Sequence, residues 1–284
     1  MISEFNLSSQ IAQFVISFGA SALVLWFAKR KRFFSFPYGN EKPLSPPSLL
    51  HVIGAFGIYF FCGVIVSLAL AYLFRFQNVE PSIGKVSWVS FLASAAILAF
   101  LLLYCKLIRR ETCRSIWGRN CTGKDLLISA AAWVVSFPLV ACVSQLLILF
   151  VYLVFHVYEL PDQVAIKLMK LSFQQPLYFL INGISVVVFA PFVEEILFRG
   201  FLQSYLRRYF GVFPAIAIAS ILFAFLHYSA QQKLGNIPLL GSLFVFSCFL
   251  GFIYERQRSL FAPIFLHAIF NTLSVASLYF IESP

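Results

Sequence analysis

The stretch Phe189–Phe201 reads "FAPFVEEILFRGF", with two adjacent glutamates and an arginine set among phenylalanine, isoleucine, leucine and valine. Glu194, Glu195 and Arg199 therefore lie inside an apolar run rather than at its edge. The whole chain explains what kind of run this is. Of its 284 residues, 61% are hydrophobic and 11% charged, and the mean hydropathy is +0.88. A soluble domain carries about a quarter charged residues. So much apolar surface has no place in water, and lipid is the implied solvent.

Working outward from Phe189, apolar runs of about 18 residues or more mark membrane spans. Eight are expected, over 10–28, 51–74, 86–108, 126–155, 177–206, 212–229, 237–254 and 260–280. The fold class is thus all-α, a polytopic membrane protein of about eight helices with a polar intramembrane site. The fourth and fifth runs exceed one crossing, so they tilt, kink at Pro138 or Pro191, or begin outside the hydrocarbon near Pro176. No linker, low-complexity tract or internal repeat interrupts the chain. Ionisable side chains are nearly absent from the first four spans, which makes 1–176 a scaffold and 177–284 the working core of one membrane domain.

The net charge of +10 is a topology signal rather than a nucleic-acid footprint. Lys and Arg concentrate in 29–42, 106–124, 199–208 and 256–258, leaving only Arg75, Lys85, Lys167, Lys170 and Lys233 elsewhere. With eight spans, the two sides hold 16 and 5 basic residues. The positive-inside rule puts the richer side in the cytoplasm, with both termini outside and an inner-membrane location. The same surplus attracts anionic lipid. The first span reads as a retained signal anchor, because a tetrabasic run follows it with no small-residue cleavage site. Six cysteines without a CxxC pair suggest neither a disulfide framework nor a zinc ribbon.

Nine of the eleven acidic residues fall in loops, tails or span ends, Asp125 and Glu255 among them. Glu194 and Glu195 do not. A charge at mid-span costs about 2.5–3.5 kcal/mol on insertion scales and is by default a functional hypothesis. Glu195 and Arg199, four residues apart, can neutralise one another as a structural pair; that leaves Glu194 unexplained. His227, His267 and Asn271 are the other mid-span polar groups, and the last two share one helix face. His51 and His156 sit at span ends. Counting about 1.5 Å per residue from the basic side places Glu194, His227, His267 and Asn271 at depths of about 20, 24, 14 and 20 Å. Three helices thus deliver polar groups to overlapping depths.

A carboxylate, two imidazoles, an amide and a guanidinium are the parts of a hydrolytic site. Glu194 with His227 can deprotonate a water. His267 and Asn271 can hold the charge that develops on a scissile carbonyl. Pro191, Pro214 and Pro263 can help part the helices to admit water.

"EEILFR" (Glu194–Arg199) fits EExxxR, "FAFLH" (Phe223–His227) fits FxxxH and "HAIFN" (His267–Asn271) fits HxxxN. In that order, on three spans, they resemble the CPBP family, which comprises type II CAAX-prenyl endopeptidases and bacteriocin-processing or immunity proteins, also called Abi proteins. The resemblance covers roughly 177–280. It implies an intramembrane protease with Glu194 as general base, His227 positioning the water, His267 and Asn271 as the oxyanion site, and Glu195 with Arg199 in support. It also implies a peptide or membrane-protein substrate within the bilayer. The family was long described as metalloproteases and later as glutamate-dependent enzymes without an essential metal. HExxH is absent here, although Glu194, His227 and His267 are residue types that bind zinc. The expectation is a site without a cofactor.

Rival readings fare worse. An aspartyl protease needs two membrane aspartates, and the chain has only Asp125 and Asp162, both in loops. A rhomboid-like nucleophile at Ser185 sits in "NGISV", a poor match. A transporter would show inverted repeats. The runner-up is a non-catalytic immunity or peptide-binding member of the same family.

Overall fold

The computed structural model describes residues 7–36, 45–75 and 82–282. Glu4, Glu41, Lys42 and Glu80 lie outside the described residues. The rest is helical, with no β-strand among the described residues beyond an isolated backbone bridge between Gly118 and Ser259. In chain order the helices are α1 (Leu7–Arg30), α2 (Leu49–Arg75), α3 (Ile83–Leu107), α4 (Arg110–Trp117), α5 (Gly123–Phe155), α6 (Val164–Leu171), α7 (Pro176–Phe210), α8 (Val212–Leu226), α9 (Asn236–Gln257) and α10 (Phe261–Glu282).

Seven helices among the described residues are long and apolar enough to cross a membrane. The eighth expected span, 212–229, differs. It ends at Leu226 after 15 residues, because the backbone leaves the helix at His227. That length rises about 22 Å, short of the roughly 30 Å hydrocarbon core. The fifth run is one continuous 35-residue element, Pro176–Phe210. The polar 109–125 segment is also not all loop, since α4 forms within it and packs against α7.

Local chemistry sets the ends. Thr122 and Asp125 form a reciprocal capping box at the start of α5, each side chain accepting from the other's backbone N–H, Thr122 N donating to Asp125 Oδ2 at 2.8 Å. Gly211 (φ 82°) makes the turn from α7 to α8, and Gly118 (φ 69°) closes α4 where the backbone of Arg258 passes too near to admit a side chain. There Arg119 N donates to Arg258 O at 2.7 Å and Leu260 N to Trp117 O at 3.0 Å. This stitch ties the α4–α5 connection to the α9–α10 turn.

The packing is inside-out relative to a soluble protein. Ile16, Leu50, Phe61 and Leu127 are exposed apolar residues, while Asp125, Glu195, Arg199, Arg207 and Glu255 are buried. Lipid accommodates the former, and the latter need internal partners. α2 and α3 lie against α7, and α5 against α1, α9 and α10. The basic segments gather at one end of the bundle. Arg256 Nε donates to Phe33 O at 2.8 Å, Arg119 bonds Gln257 and Asp125, and Arg207 pairs with Glu255.

Candidate active site

α7 is not a uniform α-helix. Ser185–Phe189 and Ile196–Gln203 are π-helical, with α-helical Ala190–Glu195 between them. A π-turn bonds residue i to i+5, widens the helix and is frequent at functional sites. Here the two glutamates sit at the end of the short α-segment, between two widened stretches.

One cause of the first stretch lies in Pro191. The N–H of Ala190 reaches back five residues to Ser185 O. In that register residue 191 would serve Val186 O, but proline has no N–H to give. The Asn271 side chain of α10 takes the vacant place, its Nδ2 donating to Val186 O at 2.8 Å. In the second stretch the Arg199 carbonyl accepts from Ser204 Oγ at 3.1 Å.

Glu195 is wholly buried and Arg199 is 1% exposed. Arg199 Nε lies 3.1 Å from Glu195 Oε2, and Nη1 donates to Oε1 at 3.2 Å. The remaining guanidinium nitrogen donates to Ser247 Oγ (2.7 Å) and Ser247 O (3.0 Å) on α9, and the plane lies 4.8 Å from the centroid of Phe223. Glu195 carries one more contact. Its Oε1 is 2.8 Å from His267 Nδ1 on α10. A carboxylate oxygen only accepts when ionised, so the shared hydrogen belongs to Nδ1.

That bond turns His267 Nε2 towards Glu194, whose Oε2 is 3.8 Å away. The separation is too long for a direct hydrogen bond. Glu194 Oε2 is itself buried without a hydrogen-bond partner, and its side chain is 17% exposed. His227, at the C-cap of α8, directs Nδ1 to Phe223 O at 2.9 Å. Its Nε2 is then left as an acceptor. The two imidazoles flank Phe223, with ring centroids 4.9 Å (His227) and 6.1 Å (His267) from its own.

α7, α8 and α10 thus bring their motif residues to one region. The direct neighbour of Glu194 differs from the sequence expectation, which paired it with His227; the structure sets His267 beside it. Asn271 is already engaged through one amide hydrogen, and its second remains to be donated. Among the described residues, no three His, Cys, Asp or Glu side chains gather closely enough to hold a metal ion, and Glu194, His227 and His267 do not converge as a ligand set. Ser185 Oγ donates to Ile181 O at 3.0 Å.

Sequence reasoning missed the partners of these groups. Asp125 and Glu255, read as loop or span-end acids, are both buried. Arg207 Nη1 pairs with Glu255 Oε2 at 2.8 Å, and Gln203 Nε2 bonds both Glu255 Oε1 and Gly251 O at 3.1 Å. Gly251 leaves room there for the Gln203 amide, whose Oε1 would lie 2.6 Å from an added Cβ. Residues 195, 199, 203 and 207 of α7 thus form a buried polar ladder against 247, 251 and 255 of α9. The spacing of four in both helices was the available signal.

Fold and site define a polytopic helical membrane protein with a carboxylate–imidazole site buried between three of its helices. Residues 176–273, from the first residue of α7 into α10, match the family model described as type II CAAX prenyl endopeptidase Rce1-like. The chain is also 25% identical over 218 residues to a Bacillus subtilis (strain 168) protein named "Putative membrane peptidase YdiL", covering 73% of this chain and 81% of that protein. No solved structure matches at the same level of significance. All three motifs, Glu194–Arg199, Phe223–His227 and His267–Asn271, fall within the matched residues 176–273.

Proposed function

We propose that the chain is an intramembrane endopeptidase in which Glu194 activates water. The carrying observation is the gap between Glu194 Oε2, a buried oxygen with no partner, and His267 Nε2 at 3.8 Å. Polar atoms that face one another beyond hydrogen-bond range are commonly joined by water. His227 Nε2, an acceptor, serves to orient that water. Its proton passes to Glu194 as its oxygen attacks the peptide carbonyl. The tetrahedral intermediate then collapses by breaking the C–N bond, Glu194 returning the proton to the leaving amine.

The second amide hydrogen of Asn271 suits the oxyanion. His267 donates to it from Nε2 when both of its nitrogens carry a hydrogen, with Nδ1 held against Glu195 Oε1 at 2.8 Å. Glu195 and Arg199 hold the imidazole rather than react. No metal enters this scheme. The substrate is a membrane-anchored peptide of CAAX type, 1–176 is scaffold, and the basic end faces the cytoplasm of the inner membrane; the short α8 carries the chain away from that end before α9 returns to it, which leaves both termini outside.

The test is cleavage of prenylated CAAX-type peptides, and of their unprenylated counterparts, in reconstituted vesicles. Glu194→Gln should fold normally and lose about 10²–10⁴ in rate, the usual worth of a general base. His267→Gln should lose about 10²–10³, as for one oxyanion donor. Near wild-type turnover by Glu194→Gln would remove Glu194 from the role of base, whereas peptide binding without cleavage by the wild type would identify a non-catalytic, peptide-binding protein. Stoichiometric metal, with activity lost on chelation and restored by zinc, would overturn the metal-free scheme.

A further inference from the structure

We propose that the groove between α1 and α5 is a binding site for an anionic phospholipid, with one acyl chain in the groove and the phosphate held at Lys31. The cavity is about 570 Å³. Its floor is buried Ala28 and Val135, and its rim is the exposed Leu23, Trp26, Phe27 and Val134. A lipid-facing helix pair with small residues between large ones leaves a furrow, and a flexible hydrocarbon chain fills such a furrow better than a rigid side chain.

What distinguishes this furrow is its end. Lys31 lines it, and Lys29, Arg30, Lys31 and Arg32 follow one another where α1 runs out. None of the four has a carboxylate partner among the described residues. Two are held in place by aromatic rings of the rim: the Arg30 guanidinium lies 4.3 Å from the Trp26 centroid, and Lys31 Nζ 5.6 Å from that of Phe27. Tryptophan prefers the headgroup level, and lysine carries its charge there on an apolar stem. The geometry therefore sets an apolar slot below a cationic collar, the complement of an acyl chain below a phosphate. Two other apolar depressions, one against Phe137 and Leu278 and one against Phe179 and Tyr279, have no charged residue in their lining. They carry no such reading.

The site also has a mechanical connection. Phe33, just beyond the collar, accepts from Arg256 of α9 through its carbonyl at 2.8 Å, and α9 carries the polar ladder. A lipid bridging α1 and α5 at this point would brace the end of the bundle.

The full chain, purified in neutral detergent and stripped of lipid, would be offered phosphatidylglycerol or phosphatidylcholine with identical acyl chains. Retained lipid is counted by native mass spectrometry, and Tm is followed in parallel. Wild type should retain phosphatidylglycerol preferentially and gain Tm from it. Lys31→Gln should reduce that preference about fivefold, the equivalent of roughly 1 kcal/mol for one interfacial cation. Ala131→Phe, at an exposed position of the α5 wall, should lower retention of both lipids by filling the slot; Leu23→Trp offers a second filling variant if the first lowers lipid-free Tm. Arg110→Gln, exposed on α4, should change neither. Equal retention of the two lipids by wild type would overturn the proposal. So would an equal loss of preference in Arg110→Gln and Lys31→Gln, which would mark a response to bulk charge.

Discussion

His267 donates from Nδ1 to Glu195 Oε1 at 2.8 Å, and the same carboxylate is gripped through both oxygens by Arg199. Two contacts of opposite purpose thus meet on one buried group. The arginine neutralises Glu195 so that it can exist in the membrane interior, and Glu195 fixes which nitrogen of His267 carries the hydrogen. Glu195→Gln should therefore strand a buried guanidinium, and breaking such a pair from one side costs about 3–5 kcal/mol. A steep fall in folded yield and Tm is expected. Replacing both partners, Glu195→Gln with Arg199→Met, should recover much of the Tm without recovering cleavage. Recovery of cleavage as well would show that the dyad is structural only.

The bond from Asn271 to Val186 O exists because Pro191 leaves that carbonyl without a backbone donor. Pro191→Ala returns an N–H to α7 and lets the π-turn relax towards regular helix. Stability should hold or rise slightly, as expected when a proline inside a helix is removed. Asn271, no longer held by the carbonyl, should lose its fixed direction, lowering kcat by about tenfold or more while KM changes little. Amide hydrogen exchange across 185–191 checks the backbone half of this argument. Unchanged exchange and unchanged kcat together would detach Asn271 from the proline.

Glu194 offers a contrast with its neighbour. Its Oε2 has no hydrogen-bond partner among the protein groups and is served by the proposed water alone, so its charge adds little to the fold. Glu194→Gln should leave Tm unchanged or raise it by a few degrees, whereas Glu195→Gln lowers it. A matched pair of melting curves in one detergent reads the difference directly. A Glu194→Gln protein less stable than Glu195→Gln would reverse the assignment of the two carboxylates.

Composition and run length made the helical membrane fold legible, since only lipid accommodates exposed Ile16, Leu50 and Phe61. They also predicted eight spans, seven of which the structure makes long enough to cross, while α8 stops early at His227, whose side chain folds back on Phe223 O. Residue types and depth brought Glu194, His227, His267 and Asn271 forward as candidates. Pairing within the site was not legible. Whether His227 or His267 faces Glu194 depends on helix rotation, and the π-turns of α7 shift that rotation by amounts no α-helical count foresees. The ladder was missed for another reason: Gln203, Ser247 and Gly251 look unremarkable until α9 is laid against α7.

That ladder predicts a remote effect. Arg207 and Glu255 pair at 2.8 Å with almost no exposure, and Gln203 joins them to Gly251, two turns from Glu195. Glu255→Gln should cost about 3 kcal/mol or more in stability by leaving Arg207 buried and unpaired. Gln203→Leu should cost less and act on the register of α7 against α9, lowering kcat with little change in KM. An unchanged Tm in Glu255→Gln would mean that water reaches the pair.

Cys113 and Cys121 report both sidedness and burial at the basic end. Cys113 lies in α4, packed beside the main core, and burial pushes its thiol pKa up. Cys121 is exposed in the turn before α5. Alkylation proceeds through the thiolate. A raised pKa lowers the thiolate fraction at neutral pH, so the Cys113 rate should climb only at more alkaline pH than a free thiol with its pKa of about 8.5. In chains keeping one of the two cysteines, Cys121 should label rapidly and Cys113 slowly at pH 7, the gap narrowing as pH rises. An impermeant maleimide should reach both in inverted membrane vesicles and neither in intact cells, since the basic end is proposed to face the cytoplasm. Labelling of Cys121 in intact cells would invert the topology, and with it the side from which water and substrate reach Glu194.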